Sequence, residues 1–228
     1  MNVLTIPELS SINKLSSISQ VSAEMDLQQK YRVGISPWPE FKYKPDVDFA
    51  IAHSNEHLLL KFYVTEKHVR AINLMPNGPV YNDSCVEFFI SWGEDKTYYN
   101  LEFNCSGTCN FGYGEIRDRR TPICESLIKR VLYQSVFKSL NMQEPSLIHW
   151  ELTLKIPVEV FAHHQFASFN DRSCRVNFYK CGDLLPQPHY LSWTEIHSAE
   201  PNFHLPEFFG KAFFAGEKSE INAKELIK

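Results

Sequence analysis

The sequence predicts an all-β protein built as an antiparallel β-sandwich, and three observations support this prediction. Segments that alternate apolar and polar residues recur about every 8–12 residues. Turn-forming residues separate them, most clearly in the loop MPNGP, where Pro76, Gly78 and Pro79 surround an asparagine. The aromatic content of 14%, with 17 Phe and 10 Tyr, favours pleated sheets over helices.

The first two full-length strands are expected to form a hairpin. Val47, Phe49 and Ile51 alternate along VDFAIAH, and NEH supplies a tight turn into LLLKFYVTE. Further strands are expected in SCVEFFISW, TYYNLEFNC, SGTCNFGYGE, RVLYQSVF, IHWELTLKI, CRVNFYKC and GKAFFAG. One short helix is expected near residues 157–164, because Pro157 suits the first helical position, where a missing N–H breaks no hydrogen bond.

The chain of 228 residues is expected to contain one domain with two extensions. Residues 1–30 are Ser-rich and predict an irregular arm packed on the domain, with a short helix in VSAEMDLQQK. Residues 31–216 carry the strand pattern and predict the β-sandwich. Residues 217–228 are expected to be a C-terminal tail.

Composition argues against two classes of partner. The net charge of −4 gives no reason to expect nucleic acid, which is bound by clustered cations. No apolar run approaches the roughly 18 residues that cross a bilayer, so a membrane is not expected as a partner. No signal peptide is visible, which favours the cytoplasm for the sequence as written; a trimmed N-terminus would allow a periplasmic or secreted protein.

Six cysteines show no metal-binding or redox CxxC spacing: Cys85, Cys105, Cys109, Cys124, Cys174 and Cys181. In a reducing compartment they are expected to be small buried apolar residues. In an exported protein, Cys105 with Cys109, or Cys174 with Cys181, are candidates for local disulfides.

No known catalytic template is present: the sequence has no GxSxG elbow, no phosphate-binding P-loop and no HExxH. Glu87 and Glu102 lie on strands joined by one short turn, so their carboxyl groups are candidates to face each other. A pair of carboxyl groups about 5–10 Å apart is what glycoside hydrolysis requires. Two alternatives use the same residues without catalysis: both point outward as polar members of their strands, or Glu87 hydrogen-bonds sugar hydroxyls.

Several aromatic residues lie in predicted loops rather than strands. Flat rings pack against the apolar faces of sugar rings, so such residues are candidate carbohydrate platforms. The alternative is that they cap the open ends of the sandwich. The residues concerned are Trp38, Phe41, Tyr43, Tyr81, Tyr190 and Phe203.

Two segments together resemble carbohydrate-binding module family 9 and its stand-alone relatives. Tyr81–Thr108, YNDSCVEFFISWGEDKTYYNLEFNCSGT, is similar to a polar D-S-V-E-x-F strand, an acidic turn and a Y-Y-x-x-x-x-N strand. Tyr190–Phe214, YLSWTEIHSAEPNFHLPEFFGKAFF, is similar to a closing S-W-(S/T) and P-x-x-F-G-x-L-x-F signature. The order and spacing of these motifs carry the resemblance.

The resemblance implies a jelly-roll-like sandwich that binds sugars without transforming them, at chain ends of xylan-like or cellulose-like plant-wall glycans in polysaccharide catabolism. It places two clamping aromatic side chains at Tyr81 and Phe203, and a hydroxyl-binding carboxyl group at Glu87. Glu102 stands where the family has an arginine, and Tyr179 where it has an amide. Trp193 is expected in the core.

The resemblance also brings a structural calcium ion into consideration, with no other cofactor. Asp83, Glu94 and Asp95 offer the hard oxygen ligands that calcium prefers, although their spacing matches no fixed calcium loop. Two other functions remain open: a glycoside hydrolase or xylanase-associated enzyme that uses Glu87 and Glu102, and an interaction domain that has lost sugar binding. The sequence does not indicate an oligomeric state.

Overall fold

Two β-sheets form the sandwich in the computed structural model, which describes residues 2–139 and 147–216. The predicted tail, residues 217–228, lies outside the described residues. In chain order the strands are β1 Val3–Ile6, β2 Tyr31–Arg32, β3 Asp46–His53, β4 His57–Glu66, β5 Cys85–Trp92, β6 Tyr98–Asn104, β7 Cys109–Gly114, β8 Thr121–Pro122, β9 Leu132–Ser139, β10 Ile148–Pro157, β11 Arg172–Cys181, β12 Tyr190–Ser192 and β13 Gly210–Phe214.

The strands divide into two sheets of different size. The site sheet has the order β1-β13-β11-β5-β6-β7-β8, with β12 paired to β11. The back sheet has the order β2-β3-β4-β10-β9. All pairs are antiparallel except β1 with β13, which run parallel. The predicted all-β sandwich and its main strands are therefore confirmed.

Helical structure is scarce in the described part of the chain. The α-helices are α1 Ile18–Asp26 and α2 Glu125–Ile128, and single 3₁₀ turns occur at Val80–Asn82, Arg117–Arg119, Val158–Val160 and Pro206–Phe208. No helix among the described residues is long and apolar enough to cross a membrane.

The core lies between the sheets and is rich in stacked aromatic rings. Phe49 of β3 stacks on Phe178 of β11, with ring centroids 3.6 Å apart, so the two sheets meet at this pair. Trp193 packs edge-on against both rings and is buried, as expected for a core residue. Val47 and Ile51 belong to the same buried cluster, which confirms that alternate residues of β3 share the inner face.

The helix expected near residues 157–164 is wrong in extent. Strand β10 continues through Pro157, and only Val158–Val160 form one 3₁₀ turn. The reason is the competing burial pattern: Val158, Val160 and Phe161 all point into the core, and Val158 donates its N–H to the backbone of the β3–β4 turn. These side chains would not share one face of an α-helix.

The N-terminal arm contains a short helix that overlaps the expected segment VSAEMDLQQK, and a strand that was not expected. Val3–Ile6 is the edge strand β1, and α1 begins with a capping box in which Ser17 and Gln20 each bind the backbone of the other. Val21 and Met25 pack α1 on the outer face of the back sheet. This covering helix explains why nearly every residue of β4 is buried on both faces.

A buried ion pair joins the two sheets. The Lys180 ammonium of β11 lies 3.0 Å from the Glu66 carboxylate of β4, and both side chains are inaccessible to solvent. Glu66 also accepts a 2.7 Å hydrogen bond from the Trp150 indole N–H. Lys180 donates to the Cys181 carbonyl and, at 2.9 Å, contacts Nε2 of His189, whose Nδ1 faces the Gln187 carbonyl. The ammonium therefore has hydrogen-bond contacts with Cys181 and His189 in addition to the ion pair with Glu66.

Breaking this ion pair should destabilise the protein strongly. We expect Lys180→Met to lower the free energy of unfolding by about 3–5 kcal/mol, because Glu66 would be left as a buried charge without a counterion. Urea denaturation measures the change. In the control Glu159→Gln, which removes the half-exposed ion pair with Arg130, the loss should stay below about 1 kcal/mol. Equal losses in the two variants would contradict this account of the buried pair.

His189 should make stability depend on pH. Burial first, and then the Lys180 charge, lower the pKa of His189 to about 3 from its ordinary 6.5. Below pH 6.5 the unfolded chain binds a proton that the folded protein excludes, so stability is lost as pH falls toward the folded pKa. The slope from this group approaches about 1.4 kcal/mol per pH unit.

The test compares urea unfolding of the wild-type protein and His189→Gln between about pH 6.5 and 5. The variant should lose less stability on acidification than the wild type does. His197→Gln serves as the control, because His197 is exposed, and it should keep the wild-type slope. A wild-type slope in His189→Gln would show that this histidine is not the group responsible.

Candidate functional site

A cavity of about 330 Å³ opens on the outer face of the site sheet, the face turned away from the back sheet. Loops that carry Trp38, Phe203 and Phe209 cover the rest of this face and form a second apolar cluster with it. The cavity is lined by Tyr81, Glu87, Glu102, Arg117, Asp118, Arg120, Cys181, Asp183, Tyr190, Pro201, Asn202, Phe203 and His204. Four of the five predicted ligand-binding residues therefore share one cavity.

Glu87 and Glu102 form its floor. They are directly opposite each other on β5 and β6, and each is almost fully buried. Val86 and Phe88 flank Glu87 and enter the core, so the alternation of side chains sends Glu87 to the outer face. One alternative from the sequence was that both glutamates point outward as exposed polar residues. Both do point outward, but neither is exposed, because the loops enclose their side chains.

The two carboxyl groups have unequal partners. Glu102 accepts hydrogen bonds from Asn100 Nδ2 at 2.7 Å and Asn110 Nδ2 at 2.9 Å, and Arg120 Nη1 lies 3.5 Å away. Glu87 accepts one hydrogen bond at 3.1 Å, from the Cys181 thiol. Glu102 is thus oriented by amide and guanidinium donors, whereas Glu87 is largely free to interact with a ligand.

This asymmetry sets the protonation of the pair. Burial, and next the charge of Glu102, raise the pKa of Glu87 well above its ordinary value. Burial also raises the pKa of Glu102, but its bonds with Asn110, Arg120 and Asn100 act in the opposite direction. The proton therefore belongs mainly to Glu87, which can donate a hydrogen bond, while Glu102 is the better acceptor.

The two predicted clamping rings differ in exposure and packing. Tyr81 lies in the 3₁₀ turn Val80–Asn82 at the rim and is 36% exposed. Phe203 is 7% exposed and stacks on Tyr179, with centroids 4.2 Å apart and planes within 13°. Trp38 touches the Phe203 ring from another direction. Phe203 is therefore a fixed wall, and Tyr81 is an accessible edge.

Tyr179 does not reach the cavity. It lies opposite Glu87 on β11 but is fully buried, and its hydroxyl donates a 3.1 Å hydrogen bond to the Phe203 carbonyl. The prediction that Tyr179 contacts the ligand is replaced by a supporting role: it holds Phe203 in place. The physical reason is that the Phe203 loop crosses over the tyrosine ring.

The three residues predicted to bind calcium are not brought together. Asp83 precedes β5, whereas Glu94 and Asp95 follow it, and an eight-residue strand separates them by about 26 Å. Asp83 is buried and accepts hydrogen bonds from Arg70, the Asn73 backbone and Asn104. Its carboxylate fastens the loop that carries Tyr81, and the three side chains form no common ion site.

Sequence reasoning missed six polar side chains of the cavity: Arg117, Asp118, Arg120, Asp183, Asn202 and His204. Arg117 and Arg120 come from the charged run RDRRT after β7. The sequence signal that could have found them is that this run follows the strand next to β6, which carries Glu102.

Burial raises the pKa of Asp183 to about 6, against the lowering effect of a hydrogen bond with Tyr190. Burial and the two arginines lower the pKa of His204, which is therefore neutral and bonds the Tyr98 hydroxyl at 2.9 Å.

Comparison with known proteins identifies the family. The sequence profile of Carbohydrate-binding family 9 matches residues 20–214, most of the chain. The chain belongs to this family. A "putative carbohydrate-binding protein" from Bacteroides uniformis ATCC 8492 is 33% identical, with a TM-score of 0.84 over 93% of this chain and 98% of that chain. No curated protein matches the sequence.

Two family 9 modules from Caldicellulosiruptor kristjanssonii share the fold of this family 9 protein at low sequence identity. The module solved with glucose is 12% identical, with a TM-score of 0.59 over 95% of this chain and 97% of that chain. The module solved with cellotriose is 11% identical, with a TM-score of 0.56 over 95% of each chain. At such identity the likeness supports the sandwich architecture alone.

Proposed function

We propose that this family 9 protein is a non-catalytic binder of a mono- or oligosaccharide end of xylan-like or cellulose-like glycans, active in polysaccharide catabolism. One observation carries the proposal: rings from two distant segments, Tyr81 and Phe203, line the same cavity as the buried pair Glu87 and Glu102. Aromatic faces and directional carboxyl groups together are what a sugar ring requires.

The size of the cavity favours a chain end over the middle of a polymer. About 330 Å³ is near the lower limit for ligand sites in proteins. Loops bound the cavity around its floor, so a short terminal segment fits better than a continuous chain. The glucose and cellotriose complexes of the two Caldicellulosiruptor modules make neutral glucans the first ligands to test.

The carboxyl groups of the floor bind the sugar hydroxyls, and an aromatic wall stacks on the sugar ring. Glu102 accepts from a hydroxyl, with a geometry fixed by Asn100 and Asn110. Glu87 exchanges hydrogen bonds with a second hydroxyl. Phe203, immobilised on Tyr179, provides a rigid stacking face whose ordering costs little on binding.

The contacts of Glu102 suit hydroxyl recognition. Its Oε2 accepts a hydrogen bond from the Asn110 amide and keeps a second lone pair that a ligand hydroxyl can use. The Asn100 amide holds the other carboxylate oxygen, so the orientation of the acceptor is fixed before the ligand binds.

Sugar binding is tested by calorimetry with glucose, cellobiose, cellotriose and xylotriose. We expect a dissociation constant in the micromolar-to-millimolar range for at least one of them. Tyr81→Ala should weaken binding by about five- to tenfold, because it removes a stacking face worth roughly 1–1.4 kcal/mol. Tyr133→Ala is the matched control, since Tyr133 is an exposed tyrosine of β9 outside the cavity.

The same ligands separate the alternatives. Incubation with the wild-type protein should release no reducing sugar, and Glu87→Gln should change affinity alone. Hydrolysis by the wild type that Glu87→Gln abolishes would instead establish a glycosidase. Absence of heat with every sugar, in a folded protein, would favour an interaction domain and end the proposal.

A further inference from the structure

Two thiols that sugar binding does not use lie beside the carboxyl pair: Cys181 in the cavity lining and Cys85 behind it. Cys85 and Glu87 are two residues apart on β5 and therefore share its outer face. Cys181 is directly opposite Cys85 on β11. One sulfur or oxygen atom from each of the three residues lies within 4.8 Å of the others, and all three side chains are buried.

This spacing is close to that of a tetrahedral metal site. Zinc–sulfur bonds of about 2.3 Å and zinc–oxygen bonds of about 2.1 Å place neighbouring ligand atoms roughly 3.5–3.8 Å apart. Cys181 Sγ and Glu87 Oε1 are 3.1 Å apart already. Small side-chain rotations would bring all three donors to bonding distance without moving the strands.

The cavity supplies an entry path and a fourth position. Glu87 and Cys181 line the cavity, whereas Cys85 lies behind them. A metal ion held by the three side chains would therefore keep one coordination position turned toward the cavity, open to water or a ligand hydroxyl.

We propose that Cys85, Cys181 and Glu87 bind one thiophilic divalent cation, of which Zn²⁺ is the representative. Two sulfur ligands favour zinc-like ions over calcium or magnesium, which take oxygen ligands. Binding forms two metal–sulfur bonds and one metal–oxygen bond, and the protons of the three ligands pass to the solvent.

The surrounding charges favour a cation at this point. Glu102 adds a second carboxyl group across from Glu87. Arg120 is directed at Glu102, and the neighbouring Lys180 ammonium enters the core toward Glu66. A divalent ion would replace the proton that Glu87 retains, and Glu102 would keep its amide and guanidinium partners. The metal site shares Glu87 with the proposed sugar site and goes beyond the sugar-binding function.

Cobalt substitution tests the site directly. The full chain, without a purification tag, is kept reduced by a phosphine and carries Cys124→Ser to remove the exposed thiol. Addition of Co²⁺ should produce thiolate charge-transfer absorption and the intense visible bands of tetrahedral cobalt, saturating at one ion per chain. Zn²⁺ should bleach both.

Variants assign the ligands. Cys85→Ser, which alters no residue that lines the cavity, should lower Zn²⁺ affinity at least tenfold in a competition assay with a coloured chelator. Cys174→Ser is the matched control: Cys174 is a buried cysteine on the same strand as Cys181 but belongs to the inner core, and this variant should bind like the parent.

Two results would overturn the proposal. One is the absence of charge-transfer absorption in the folded parent protein, a measurement that does not depend on any variant being stable. The other is undiminished Zn²⁺ affinity in Cys85→Ser. Sugar calorimetry with metal-free protein is measured separately, so failure of the metal site and failure of sugar binding are distinguishable.

Discussion

The burial of two carboxyl groups on facing strands is the constraint on which the site depends. Glu87 and Glu102 are nearly inaccessible and directly opposite each other, an arrangement that costs folding free energy unless partners offset it. Asn100, Asn110 and Arg120 do this for Glu102, and a retained proton does it for Glu87. Apolar residues at these two positions would cost less folding free energy. The buried carboxyl pair is therefore best explained by a ligand that it binds.

Strand β11 connects the core to the cavity floor, because its residues pack in both. Its residues alternate between two environments: Phe178 and Lys180 enter the core, where they stack on Phe49 and pair with Glu66. Tyr179 and Cys181 face outward, beneath Phe203 and beside Glu87. The ion pair and the aromatic stack therefore hold β11 in place from the core side. As a result, the floor of the cavity on its outer side is rigid.

The sequence predicted what alternation and local motifs determine. Period-two patterns identified the long strands, and four residues nominated from the family motifs, Tyr81, Phe203, Glu87 and Glu102, line one cavity. It could not predict which loop crosses which residue. Tyr179 has the outward position of a ligand-binding residue, yet the Phe203 loop covers it. The arginines of the cavity come from a segment whose path depends on tertiary contacts.

The errors have a common physical origin. Asp83 and Asp95 are close enough in sequence to suggest one ion site, but the strand between them is extended and holds their carboxylates at opposite ends. Cys85 and Cys181 are far apart in sequence, yet pairing of β5 with β11 places them side by side. In a β-sandwich, closeness along the chain is a poor guide to shared chemistry, because strand register decides which donors meet. That is why Asp83, Glu94 and Asp95 share no common site, while the donors that converge are two thiols and a glutamate from neighbouring strands.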